Sequence, residues 1–155
     1  MSKIFVGIDP PLNVATSDVT MEDVQLDKFS NLGELIDYLQ QLVDESPDCE
    51  SVVVVCEDVP CFIKEIPASR SFKQGKAFGE VIGAVRALGI PLHLLRPQAW
   101  QKGFGGLKGL TGYPRKKALA DHAKRLFPNT KITVPVADSL LILRHFLLTN
   151  QTKTN

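Results

Sequence analysis

The 155 residues suffice for a domain with a core of its own, because a chain of this length can bury about 70% of its unfolded surface without disulfide or metal staples. The net charge of +1 conceals an asymmetry: residues 1–58 carry 13 acids against 2 bases, and residues 59–131 carry 3 acids against 14 bases. No apolar run approaches the roughly 18 residues of a membrane-spanning helix, and the three cysteines (Cys49, Cys56 and Cys61) lack metal-type spacing with the histidines, which argues against membrane insertion, a disulfide framework and a zinc site.

In chain order, residues 3–9 (KIFVGID) form a short apolar run closed by Pro10 and Pro11, which predicts a central strand arriving at a turn. NVATSDV and MEDVQLDKF alternate more weakly, as strands of a meander running toward a sheet edge. The period then changes. Leu32, Leu35, Ile36, Leu39, Leu42 and Val43 recur at helical spacing, with Ser30 or Asn31 as the cap. Residues 51–58 (SVVVVCED) are β-branched without polar interruption until the closing acids, the pattern of a strand covered on both faces. A proline-bounded loop leads to a helix over about residues 71–88, where Gly75, Gly79 and Gly83 form a stripe that another backbone or helix can approach closely. IPLHLLRP is the next strand, and QAWQKGFGGLKGLTGY fits neither period. The last two helices are PRKKALADHAKRLFP, with Pro114 in its first turn, and VADSLLILRHFLLT, with Asp138 in its first turn. This order predicts one α/β domain over residues 1–155, with a mixed five-stranded central sheet flanked by helices.

Acids stand at three informative places: Asp9 ends the first strand, Glu57 ends the long buried strand, and Asp138 begins the last helix. Each has a plain structural use as well. Asp9 before Pro10 can initiate a turn, Glu57 can be a solvated strand end, and Asp138 can favour a helix N-terminus. If the two strands are neighbours, however, the three carboxylates converge and repel, an arrangement that makes sense chiefly when a divalent cation neutralises it. Oxygen ligands without Cys or His favour Mg²⁺ or Mn²⁺, and Mg²⁺ accepts phosphate oxygens as further ligands. The basic half either binds a polyanion through counterion release or is an ordinary solvated surface. Acids on one side and bases on the other point to phosphodiester chemistry.

GIDP after an apolar strand, then VVVVCEDVP, LLRPQAWQK, RKKALADHAKRLFP and ADSLLIL occur in the order found in RuvC-type Holliday-junction resolvases. The chain resembles the phage-borne and organellar branch of that group over nearly its whole length. GIDP alone is shared with actin-like ATPases and sugar kinases, but those need two such domains and much longer chains, so no nucleotide cofactor is expected. The resemblance implies an RNase H-like fold, a homodimer, and Mg²⁺-dependent nicking of opposing strands in a four-way DNA junction, with Mn²⁺ as a substitute ion. Residue by residue, Asp9 would be the acid shared by two ions, Glu57 the second-strand ligand, and Asp138 the ligand from the last helix. Such a pair of ions, about 3.5–4 Å apart, activates water and stabilises the leaving 3′ oxygen, giving 5′ phosphates and 3′ hydroxyls. Relatives usually carry a further acid or a His three or four residues before the Asp138 position, where this chain has Val134 and Pro135. Asp58 is the nearest substitute, although strand alternation turns it away from the face of Glu57.

For DNA, the phosphate-contact candidates are Lys73, Lys76, Arg96, Lys102, Lys108, Arg115, Lys116, Lys117, Lys124 and Arg125. Arg115, Lys116 and Lys117 stand at a helix start, where outward N–H groups also attract anions; an ordinary charged helix face is the alternative. Phe62, in the loop after Glu57, either wedges bases near the junction centre or closes the core. Trp100 is expected to anchor its loop. The sequence thus predicts a junction-resolving endonuclease, intracellular, cytoplasmic or nucleoid-associated, or organellar if a targeting segment has been removed. Its rivals are a junction-binding protein without activity and an RNase H-like nuclease acting on hybrids or flaps.

Overall fold

The computed structural model describes residues 3–59 and 66–151. Three strands open the chain as a meander: β1 (Ile4–Asp9), β2 (Asn13–Ser17) and β3 (Gln25–Lys28) pair antiparallel in succession. Helix α1 (Leu32–Asp44) then crosses to β4 (Val52–Glu57), and α2 (Ala68–Ala87) to β5 (Leu92–Leu95). Both strands add in parallel, giving the mixed order β3-β2-β1-β4-β5. A one-turn helix α3 (Pro97–Gln101), then α4 (Gly112–Leu126) and α5 (Val134–Gln151), complete the chain. The five-stranded mixed sheet flanked by helices is the architecture expected from the sequence.

Strand alternation sorts the core into two layers. Val6, Ile8, Val52, Val54 and Cys56 face Leu35 and Leu39 of α1 and Val81 and Val85 of α2. The opposite face carries Phe5, Ala15 and Val55 against Trp100, Leu119, Leu140 and Leu143. Gly7 lies on this second face, and its missing side chain is what lets α5 settle there. A Cβ at Gly7 would stand 2.5 Å from the Ser139 carbonyl oxygen and 2.8 Å from the Leu143 Cβ. Backbone meets backbone at this point, which carries the start of α5 to the end of β1.

Some bounds differ from the sequence reading: α2 starts at Ala68 rather than about residue 71, and α4 at Gly112 rather than Pro114. Residues 97–101, within a stretch that fits neither period, form α3, with Pro97 pre-set for its first position. Helix α5 begins at Val134, two residues earlier than expected, because Pro135 needs no N–H partner in a first turn. Asp138 is therefore the fifth helical residue, and the first turn of α5 contains no acid. Among the described residues the α2 glycine stripe has no packing partner: a Cβ at Gly75, Gly79 or Gly83 would have no neighbour within 4 Å. Cys49 and Cys56 are free thiols; Cys61 and Phe62 lie outside the described residues.

Candidate active site

The parallel register of β1 on β4 runs to Ile8 opposite Cys56. One step further, Asp9 stands beside Glu57, and both side chains fall on the face that α5 covers. The backbone end of β4 is held by the Asp58 N–H, which donates to the Leu95 carbonyl at 2.9 Å. Close packing at Gly7 brings Asp138 of α5 to the same place. Asp9 and Asp138 are each only 7% exposed. The Asp138 Oδ1 atom is buried and has no hydrogen-bond partner among the described residues.

A fourth charged group sits among these acids. Lys116, one turn into α4, places its Nζ 3.8 Å from Asp9 Oδ2 and 3.4 Å from Asp138 Oδ2. Glu57 is held from the other side by the Trp100 indole, whose Nε1–H donates to Glu57 Oε2 at 3.0 Å. Asp9, Glu57, Lys73 and Lys116 together line a cavity of about 390 Å³, along with Gln74 of α2.

Burial sets the electrostatics of the group. Desolvation, and then the nearby Asp138 carboxylate, push Asp9 up to about 7, against the pull of Lys116 and Asn13. Desolvation and the charges of Asp9 and Asp138 push Glu57 up to about 8, while Trp100 and Lys116 pull it down. Asp138 is also raised by burial, with Lys116 the main opposing influence. For Lys116, burial works against the ammonium, but Asp9, Asp138 and Glu57 outweigh it and the net direction is up. The site is thus a knot of acids short of positive charge, with one half-exposed lysine as counterion at its edge.

Its donors suit a hard divalent cation in chemistry: three carboxylates, no Cys or His, and an orphaned Asp138 oxygen. As the side chains stand, no group of three Asp, Glu, His or Cys among the described residues is disposed to hold a metal ion. Lys116 occupies the cationic position instead.

Solved structures provide the comparison for this arrangement. Thermus thermophilus RuvC in complex with a Holliday-junction substrate matches with a TM-score of 0.62 at 16% identity, covering 96% of each chain. The fold is that of RuvC. A second Thermus thermophilus RuvC structure matches with a TM-score of 0.57 at 17% identity, again over 96% of each chain. RuvC has an RNase H-like fold, and this chain shares it. No family model matches the sequence, and no curated protein matches it.

Within this RuvC fold, the candidate residues separate into groups. Asp9, Glu57 and Asp138 meet at one end of the sheet, joined by Lys73 and Lys116. Asp58 instead lines a groove of about 1020 Å³ with Arg96 and Lys102, on the far side of the strand end as alternation requires. Lys102 and Lys108 border a further cavity of about 530 Å³ beside Gln98 and Gln101. Arg115, expected to meet phosphate, has its guanidinium engaged within the chain. Its Nε and Nη2 donate to Gln101 Oε1 at 3.1 and 2.6 Å, and Nη1 donates to the Leu107 and Leu110 carbonyls at 3.0 and 3.4 Å. Lys117 turns the other way and pairs with Asp121 at 3.5 Å. Lys76 is exposed on α2. The pairing of Lys116 with Asp9 and Asp138 escaped the sequence reading, because a triplet of bases at a helix start does not show which one reaches the acids. The link from Trp100 to Glu57 spans 43 residues and leaves no local signal.

Proposed function

We propose that this protein is a metal-dependent, structure-selective endonuclease that resolves four-way DNA junctions by paired nicks on opposing strands. The observation that carries the proposal is the convergence of Asp9, Glu57 and Asp138 from β1, β4 and α5 at the end of the sheet in a RuvC fold, with Asp9 and Asp138 buried and Glu57 partly buried. The likeness to a RuvC solved with a Holliday-junction substrate supports branched DNA as the ligand.

In this reading Asp9, Glu57 and Asp138 would hold Mg²⁺ or Mn²⁺, up to two ions per site. Bound there, such ions lower the pKa of an attacking water and neutralise charge on the leaving oxygen. The chain's own groups do the rest. Lys116, 3.8 Å from Asp9 and 3.4 Å from Asp138, offsets part of the acids' charge. Lys73, which lines the cavity together with Lys116, would take a phosphate oxygen of the strand to be cut. Lys102 and Lys108 extend the cationic track across neighbouring cavities. Lys76, Lys117 and Phe62 complete the DNA contacts proposed from the sequence, and Arg115 contributes by shaping the loop that carries Lys102 and Lys108. A homodimer formed by residues 1–155 of each copy, with α2 stripes facing one another, would present two sites to a two-fold junction.

A second reading is favoured by the start of α5. Val134 and Pro135 stand where RuvC-type relatives carry a further ligand, and Pro135 is committed to the first helical turn. A protein with three acids and an ammonium among them would bind junctions without cutting them. Supplying a labelled four-way junction, a flap and an RNA–DNA hybrid side by side in Mg²⁺ discriminates the possibilities. The proposal predicts that the junction alone is nicked efficiently; equal cutting of hybrid and junction contradicts it.

A further inference from the structure

We infer that Trp100 is a positioning residue for Glu57: its buried indole N–H fixes one carboxylate oxygen and leaves the other for the ligand of the cleft. The inference deepens the reading above and rests on Glu57 being one of the metal-holding acids.

Trp100 is 2% exposed and packs in the core with Leu107, Leu119 and Leu140. Its ring cannot turn without disrupting that layer, so the direction of its N–H is set by packing. A buried indole N–H needs an acceptor, and in most cores a backbone carbonyl serves. Here the acceptor is Glu57 Oε2, at 3.0 Å. An indole only donates, so it cannot exchange roles with the carboxylate as a hydroxyl would. The strand beneath is fixed too, since Asp58 N–H bonds to Leu95 O and Leu95 lies opposite Glu57 in the β4–β5 register. Held at its backbone and at Oε2, Glu57 has one oxygen left to offer the cavity it lines with Asp9 and Lys116. Helix α3 exists to make this contact possible: Pro97 starts a single turn directly after β5 and returns Trp100 over the end of β4. Outer partners of this kind typically change metal affinity about 10–100-fold when removed.

The chain contains a single tryptophan, so its emission reports on the surroundings of this one indole. The test uses the full chain as wild type, Trp100→Phe and Glu57→Gln. Phe keeps a buried ring but has no N–H; Gln keeps an acceptor for the indole but carries no charge. Mn²⁺ uptake, followed by the paramagnetic resonance of the free ion, is expected to be about tenfold weaker in Trp100→Phe. Mg²⁺ is expected to change the Trp100 emission of the wild type and not that of Glu57→Gln. Equal Mn²⁺ affinity in wild type and a folded Trp100→Phe would overturn the inference, since pure packing moves melting temperature rather than affinity. A Mg²⁺-induced emission change in Glu57→Gln as large as that of wild type would overturn it as well, and this arm decides the matter if Trp100→Phe does not fold. A wild type that takes up no Mn²⁺ would instead remove the metal reading itself, and the inference with it.

Discussion

Asp9 and Glu57 are held in their protonated range well above ordinary carboxylates, and that has a consequence for stability without metal. A group whose folded pKa is raised binds more protons folded than unfolded, so stability falls as pH rises from the unfolded value near 4 through the folded values of about 7 and about 8. The metal-free protein should therefore melt progressively lower between pH 5 and pH 8. Asp9→Asn should melt above wild type at pH 8 by several degrees, at about 2–4 °C per kcal/mol for a chain of this size. A melting temperature independent of pH over that window would show that the acids are not strained by their burial. Lys116 gives the complementary prediction. Lys116→Met should lower the melting temperature near pH 8, where the acids ionise, and Mg²⁺ should restore much of the difference. If Mg²⁺ stabilises wild type and Lys116→Met equally, the ammonium and the ion do not share one position. Of these residues, the three acids were legible in the sequence, because strand ends and apolar runs mark them. Lys116 and Trp100 were not, because neither periodicity nor spacing reports which side chain of a helix reaches across to a strand.

Elements show the same division. Apolar period was enough for all five strands and for α1, α2, α4 and α5, since each buries a face whose spacing is written in the chain. What it missed was α3, five residues long and held by Trp100 rather than by its own period, the first residues of α2 and α4, and the start of α5, where Pro135 acts as a helix opener rather than a breaker. Gly7 was read as part of GIDP, yet its role is steric and visible only once α5 lies on β1. Gly7→Ala should cost about 1–3 kcal/mol or more, as overpacking against backbone does, and should weaken metal uptake by displacing Asp138. Gly79→Ala is the matched control: its Cβ meets nothing within 4 Å, so the isolated chain should gain up to about 1 kcal/mol of helix propensity. Equal effects of the two changes would refute the account of how α5 is seated. The loop after α3 supplies another contrast. Arg115→Ala should act mainly on stability, by about 1–3 kcal/mol, since it strips the partners from Gln101 and two carbonyls. Lys73→Ala and Lys102→Ala should instead leave melting nearly unchanged and flatten the salt dependence of DNA binding, by about one unit of slope for each phosphate that is no longer neutralised. A flat melting response in Arg115→Ala would return that guanidinium to the DNA.

At the scale of the whole molecule, the uneven charge of the sequence becomes an arrangement. Asp9 and Glu57 come from the acid-rich first part of the chain, and α2, α4 and the loop between α3 and α4 bring lysines to the rim of the same cavity and its neighbour. Asp138, far along the chain, is recruited by the close approach of α5 to β1. No helix among the described residues is long and apolar enough to cross a membrane. The exposed glycine stripe on α2 and the exposed Phe72 beside it leave a face for the proposed second copy, so Gly79→Leu should dissociate the dimer in sedimentation while leaving each chain folded. A dimer unaffected by that change would have to use another face. The measurement that bears most directly on the central claim is cleavage of an end-labelled four-way junction by wild type and Asp9→Asn in Mg²⁺ and in Mn²⁺. Paired nicks on opposing strands, resealable by ligase and absent with Asp9→Asn, are the predicted result; a wild type that binds the junction and leaves every strand intact in both metals would contradict it.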